Sequence, residues 1–92
     1  MAFVYLLRCR DGSLYAGSAK DLAARLRRHD AGLASRYTRG RRPVVLAWSR
    51  EVGTWGDALR EECRIKRLRR VEKEGLINES SSALSPAVGT SP

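Results

Sequence analysis

No stretch of this 92-residue sequence approaches the roughly 18 apolar residues of a membrane span. The apolar opening, Ala2 to Leu7, gives way at once to Arg8 and Arg10. It is too short for the core of a signal peptide and reads as a buried strand. Cysteine occurs only at Cys9 and Cys63, without the CxxC or Cys/His spacing of a zinc site. Reduced, buried thiols in a cytoplasmic protein are expected rather than a disulfide. Histidine occurs once, at His29, and no internal repeat is visible. Acidic residues are few: 10 Asp+Glu stand against 18 Lys+Arg, a net charge of +8. Lysine is scarce as well, with 3 Lys to 15 Arg.

That length allows one domain, which buries only about 60–65% of its unfolded surface. A shallow surface site is therefore expected, not a large enclosed cavity. A hydrophobic fraction of 42% with 30% charged residues fits a globular chain. The arginine bias selects a partner. Guanidinium groups form planar, bidentate forks on phosphate, so a pI near 10.5 points to an anionic polymer, nucleic acid first.

Phe3 to Cys9 is rich in aromatic and branched residues and reads as a strand. Arg10-Asp11-Gly12-Ser13 is a turn signal, and Leu14 to Gly17 resumes as a second, antiparallel strand. A turn centred on Asp11-Gly12 makes cross-strand partners sum to about 23 and sets Tyr5 diagonal to Tyr15. Asp21 can cap a helix carrying Leu22 and Leu26, which Gly32 ends. Ser35 to Arg42 is a basic loop closed by Pro43. Val44 to Trp48 is a third strand, apolar enough to be central or well covered. Thr54 and Asp57 form an abbreviated capping box, and a helix follows from about Asp57 to Leu68. A short helix from about Arg70 to Ile77 follows. From Glu79 the composition turns to Ser, Ala, Pro, Gly and Thr, a tail without structure. The expectation is an α/β fold over 1–78, a small three-stranded, mainly antiparallel sheet flanked by helices in the order ββαβα(α), with 79–92 outside it.

Several side chains invite chemistry. Gly17 sits in strand context, where a glycine marks close approach by another group. Arg25 and His29 share a helix face bordering the Leu22/Leu26 stripe, while Arg27 and Arg28 project outward and suit phosphates. His29 can move a proton near neutral pH or contact a phosphate. Glu62 falls near the middle of an apolar arc formed by Ala58, Leu59, Cys63 and Ile65. A carboxylate there needs a partner, either an arginine or a hard cation such as Mg²⁺ or Mn²⁺. Ser35, Arg36, Tyr37, Thr38, Arg39, Arg41 and Arg42 combine four cations, a ring and two hydroxyls, a set that grips phosphates and stacks on bases. Arg64, Lys66, Arg67, Arg69 and Arg70 form a second basic cluster, part of which merely complements a helix C-terminus.

Taken together these residues resemble the GIY-YIG endonuclease family. Its first motif is matched by Phe3-Val4-Tyr5 and its second by Tyr15-Ala16-Gly17, the two tyrosines ten residues apart. Ala19-Lys20-Asp21-Leu22 with Arg25-Leu26, and Ala58-Leu59 with Glu62, fall where the family places its helix arginine and its metal-binding glutamate. Asp11-Gly12-Ser13-Leu14-Tyr15, Tyr37-Thr38-Arg39-Gly40-Arg41-Arg42-Pro43 and Arg64-Ile65-Lys66 are similar to small stand-alone bacterial members, often likened to the excinuclease nuclease domain. The resemblance spans roughly residues 3–77. Phe3 replaces the first motif's glycine, Ala16 its second motif's isoleucine, and Ser18 a lysine of the excinuclease relatives, with Lys20 two residues away. Neither a zinc-binding RING nor a specificity domain accompanies the motifs.

The resemblance implies a metal-dependent phosphodiesterase on DNA that leaves 5′-phosphate and 3′-hydroxyl ends, with weak or structure-based selectivity and a place in repair or recombination. Tyr5 would act as general base, Tyr15 would position water or phosphate, and Arg25 would stabilise charge on the phosphate oxygens. Glu62 would hold one Mg²⁺ or Mn²⁺, and His29 would assist proton transfer. Gly17, Lys20, Arg27, Arg28, Arg36, Tyr37, Thr38, Arg39, Arg41, Arg42, Arg64 and Lys66 would meet the nucleic acid. A non-catalytic nucleic-acid-binding module on the same fold is the alternative, and a protein-interaction scaffold a third reading.

Overall fold

The computed structural model describes residues 1–84; 85–92 lie outside the described residues. The chain runs β1 (Ala2–Arg8), β2 (Leu14–Ala19), α1 (Leu22–Asp30), α2 (Arg36–Arg39), β3 (Val45–Val52), α3 (Trp55–Lys66) and α4 (Arg70–Leu84). The sheet order is β2-β1-β3 and both pairings are antiparallel. The expected α/β architecture is present, with one helix more than expected.

β1 is the central strand because its apolar residues serve both faces. Val4 and Leu6 pack with Ala16, Trp48 and Ile65, covered by Leu68, Leu76 and Ile77 on the side of α3 and α4. Tyr5, Leu7 and Cys9 pack with Ala19 and Val44, with Tyr15, Leu22 and Leu26 beside them on the side of α1. Alternation along one strand thus builds two small cores. β3 does not take the central or covered place its apolar start suggested. It is an edge strand, with Val45 60% and Leu46 42% exposed. Past Trp48 it continues Ser49-Arg50-Glu51, and only Trp48 is buried along it. A polar strand of this kind suits an edge.

The hairpin register corrects a second expectation. Partners sum to 22, with Tyr5 opposite Gly17 and Leu7 opposite Tyr15. The loop has the odd length Arg10-Asp11-Gly12, with Gly12 left-handed at φ 87° and Cys9 N–H bonded to Ser13 O. The difference of one decides the chemistry, since a one-residue slip turns every β2 side chain to the other face. At 22, Tyr5 and Tyr15 share a face; at 23 they would not.

Helix ends follow their capping residues. Asp21 accepts from Ala24 N–H. At the other end of α1, Gly32 (φ 78°) and Leu33 return N–H bonds to His29 and Arg28, a Schellman closure. Ser35 caps α2, a turn of helix inside the expected loop, by accepting from Tyr37 and Thr38. Thr54 accepts from Asp57 N–H and starts α3 at Trp55, two residues before the expected start. α4 runs on to Leu84, past the tail boundary placed at Glu79. Of the cysteines only Cys9 is buried; Cys63 is exposed on α3, and both are free thiols.

α4 is fastened to the hairpin through charge. Arg8 makes a bidentate pair with Glu74 (2.9 and 2.7 Å), and Arg70 reaches both Glu74 and Gly12 O. The Arg8 guanidinium draws the Glu74 carboxyl down to about 2. A depressed carboxyl contributes stability above its ordinary value of 4.5 and loses it as pH falls toward 2. Glu74→Gln should therefore melt below wild type at neutral pH, and the gap in Tm should close as pH is lowered through that window. A gap unchanged at pH 2 would show that the pair does not fasten the helix.

Candidate active site

The site is built on the α1 side of the sheet from the hairpin tyrosines. Gly17 lets it form. A Cβ at that position would lie 2.5 Å from the Tyr5 hydroxyl oxygen and 2.6 Å from Cζ, so the Tyr5 ring lies directly across the glycine. The close approach expected at Gly17 comes from this ring. Gly17 is itself buried, which removes it from the residues that could touch nucleic acid.

Beyond Gly17 the Tyr5 hydroxyl meets His29 Nε2 at 3.0 Å. His29 Nδ1 meets Thr38 Oγ1 at 2.8 Å, and the Thr38 hydroxyl points to Ser35 O at 3.4 Å. One tautomer satisfies all three contacts: Nδ1–H donates to Thr38 Oγ1, whose own proton turns to Ser35 O. Nε2 then carries the lone pair and accepts from Tyr5. His29 is 1% exposed and Thr38 0%. Thr38, expected at the nucleic-acid surface, instead fixes the imidazole from beneath.

Burial, opposed by the nearby Arg25 charge, pushes the Tyr5 phenol up to about 12. Burial and Arg25 both hold His29 below its ordinary 6.5, with Asp30 opposing. The pair is thus a neutral phenol and a neutral imidazole at physiological pH. The Tyr5 hydroxyl proton has an acceptor at hand in His29. Tyr15 lies edge-on to His29, ring centroids 5.4 Å apart, and stacks on half-exposed Tyr37 at 5.7 Å. The Arg41 guanidinium lies over Tyr37, 3.9 Å from the centroid.

Arg25 lies at the edge of this cluster and interacts with the Tyr5 hydroxyl. Glu62 approaches from α3, close enough for its charge to act on Tyr5. It borders the core instead of centring an apolar arc, because Ala58 and Ile65 are buried while Leu59 and Cys63 are exposed. Ser18 donates its hydroxyl to Oε1, and the Lys66 ammonium sits 2.7 Å from Oε2. The serine standing in a lysine's place therefore orients the carboxylate. Among the described residues no three His, Cys, Asp or Glu side chains converge as a metal cluster. Glu62 can offer a cation one carboxylate, the rest coming from water and phosphate, an arrangement that suits Mg²⁺.

The two expected basic patches are unequal. Across α3, its link to α4 and the start of α4, Arg60, Arg64, Lys66, Arg69 and Arg70 are each ion-paired, Arg64 with Glu61 and Lys66 with Glu62, while Arg67 is exposed without an acidic partner among the described residues. Arg41 is held by Asp11 and Tyr37 O, and Arg42 by the carbonyls of Asp30 and Arg39. Arg27, Arg28, Arg36, Arg39 and Arg42 are exposed and have no acidic partner among the described residues, Arg28 giving one N–H to Leu33 O. The charge left for a polyanion is concentrated on α1 and α2, around the tyrosines.

The sequence marks Ser35 only as one of the loop's hydroxyls and Ser18 only as a replacement for a lysine, and gives neither its contact: Ser35 with Thr38, Ser18 with Glu62. Gly17→Ala tests the geometry directly. The added methyl should displace Tyr5 and break its bond to His29, destabilising the fold by about 1–3 kcal/mol, as overpacking does. Urea denaturation reads the loss, and the imidazole ¹⁵N shifts report the lost hydroxyl.

Comparison with known proteins places these features. A family model described as the GIY-YIG catalytic domain matches residues 1–74. UPF0213 proteins of Staphylococcus aureus strains Mu50 and N315 are each 46% identical over 77 residues, covering 84% of this chain and 94% of theirs. The solution NMR structure of a UPF0213 protein from Bacillus halodurans is similar at 38% identity, with a TM-score of 0.55 over 85% of this chain and 84% of that one. No helix among the described residues is long and apolar enough to cross a membrane. The motif tyrosines, the glycine beneath them and a match along most of the sequence agree: the chain belongs to the GIY-YIG catalytic-domain family.

Proposed function

We propose that the protein is a metal-dependent endonuclease that hydrolyses DNA phosphodiester bonds, with structure-based or weak selectivity and a role in repair or recombination. The observation that carries this reading is the buried chain from Tyr5 through His29 to Thr38, opening beside Arg25 and Glu62. The Tyr5 oxygen accepts a proton from the attacking water while its own proton passes to His29 Nε2. Thr38 holds the imidazole in the tautomer able to receive it. Arg25 faces the charge that gathers on the phosphate oxygens. Tyr15, packed between His29 and Tyr37, limits where water and phosphate can sit. Arg27, Arg28, Arg36 and Arg39 hold the strand by its backbone. Glu62 would hold one Mg²⁺ or Mn²⁺, which when bound polarises the phosphate and stabilises the leaving oxygen. Lys66 must then give up Oε2.

The Lys66–Glu62 ion pair favours one other reading, a nucleic-acid-binding module in which the carboxylate already has its cation. A cleavage panel of single-stranded, nicked, flapped and branched DNA with Mg²⁺ or Mn²⁺ separates the two. The nuclease should cut at least one of them, lose about 10²–10³-fold in rate in Arg25→Ala, and lose metal-dependent cleavage in Glu62→Ala. Salt-sensitive binding without cleavage by wild type would favour the module.

The pH profile tests the proton path. Because His29 is held below its ordinary 6.5, its acceptor form persists at neutral pH and is lost only as pH falls beneath that value. The rate should stay flat through pH 7 and drop on an acid limb whose midpoint is under 6.5. His29→Gln should be slower by about 10²–10⁴-fold, the usual worth of a positioned base, and should lack that limb.

A further inference from the structure

Both oxygens of Glu62 are taken: Ser18 donates its hydroxyl to Oε1, and the Lys66 ammonium sits 2.7 Å from Oε2. The two partners differ in freedom. Ser18 is buried in β2, and its hydroxyl hangs on a single carbon. Lys66 is the last residue of α3, and its side chain is 54% exposed against 18% for Glu62. Its flexible four-carbon stem carries a point charge that can move while the backbone stays still. Tyr15 lies close enough to act on that charge, as Glu62 does on Tyr5. Lys66 thus stands beside the site tyrosines, whereas the Arg64 guanidinium is turned to Glu61.

An ammonium and a divalent cation compete for Oε2. One carboxylate is a weak hold on Mg²⁺, which proteins bind through one or two carboxylates together with substrate phosphates. A resident ammonium weakens that hold further. A phosphodiester brings the cation more oxygen ligands and gives the displaced ammonium an anion to pair with. We propose that Lys66 is an exchangeable counterion: in the free protein it holds Glu62 and keeps divalent-cation affinity low, and when DNA and the cation bind together its ammonium turns from Oε2 to a phosphate oxygen. Cation and phosphodiester are thereby coupled, each binding better in the presence of the other. The inference rests on the nuclease reading and adds how its metal site is regulated, with Lys66 as the residue that passes from carboxylate to substrate.

Cation binding without DNA tests the first half. The full chain is titrated with Mn²⁺, and free Mn²⁺ is counted by electron paramagnetic resonance. Lys66→Met should bind Mn²⁺ about fivefold more tightly than wild type, the upper worth of an exposed ion pair. Lys66→Arg should stay near wild type, and Glu62→Gln should lose the site. Arg67→Met removes the same charge one residue away and should change the affinity by less than about twofold. The salt dependence of binding to a nicked duplex tests the second half. In EDTA the log K against log[salt] slopes of wild type and Lys66→Met should match. With Ca²⁺, which takes the same oxygen ligands, the wild-type slope should be steeper by about 0.9, one phosphate contact. Unchanged Mn²⁺ affinity in Lys66→Met, an equal gain in Arg67→Met, or slopes that differ no more with Ca²⁺ than in EDTA would each overturn the inference. If both halves hold while no DNA is cut with metal present, the exchange stands and the nuclease assignment fails. If wild type cuts DNA with metal but Lys66→Met binds Mn²⁺ as wild type does, the exchange alone fails.

Discussion

A phenol laid across a glycine onto a buried imidazole is the contact around which the molecule is arranged. Gly17 must lack a side chain for the Tyr5 ring to pass. The hairpin loop must be odd for the two tyrosines to face α1. α1 must close at Gly32 just after His29, and the chain must then form one capped turn so that Thr38 reaches Nδ1. Five segments thus converge on one line of hydrogen bonds. Every polar atom in that line has a partner, as a low-dielectric interior requires.

The sheet separates this region from its opposite face. On the far side, α3 and α4 are laced by ion pairs that consume their own charge, and an apolar cluster around Trp48 and Ile65 holds them to the sheet. On the near side the arginines are left unneutralised around a polar, hydrogen-bonded centre. Glu62 belongs to α3 yet contributes to the near side, since α3 runs close to the β2 edge. A net charge of +8 is therefore less informative than its distribution: most cations of α3 and α4 are ion-paired, whereas most of those on α1 and α2 are not.

Local signals in the sequence were sound. Asp21, Gly32 and Thr54 mark helix ends where the structure has them, and Tyr5, Tyr15, Arg25 and His29 lie together in it. The errors lie where a local pattern had to predict a long-range partner. Val44 to Trp48 is apolar enough for a centre strand, but strand order depends on which strand can bury both faces, and β1 does so more completely. Hydroxyl groups in an arginine-rich loop suggest phosphate contacts; nothing in Ser35 to Arg42 reveals that Thr38 faces inward toward a histidine nine residues earlier. The helical wheel overstated the burial around Glu62 because Leu59 and Cys63 are apolar in composition yet exposed. Register was lost by a single residue, the smallest unit a turn prediction can miss and enough to reverse a strand's faces.

The ion pair between Glu62 and Lys66 has a consequence for how the fold tolerates its own site. Clustered carboxylates repel one another until a cation arrives, so many metal enzymes are strained when empty. Here one carboxylate has an internal counterion a single helical turn away, on the same α-helix and in the favourable orientation of acid before base. The Glu62 carboxylate therefore has its charge compensated within the helix, and under the proposed nuclease reading a divalent cation would have to displace the Lys66 ammonium.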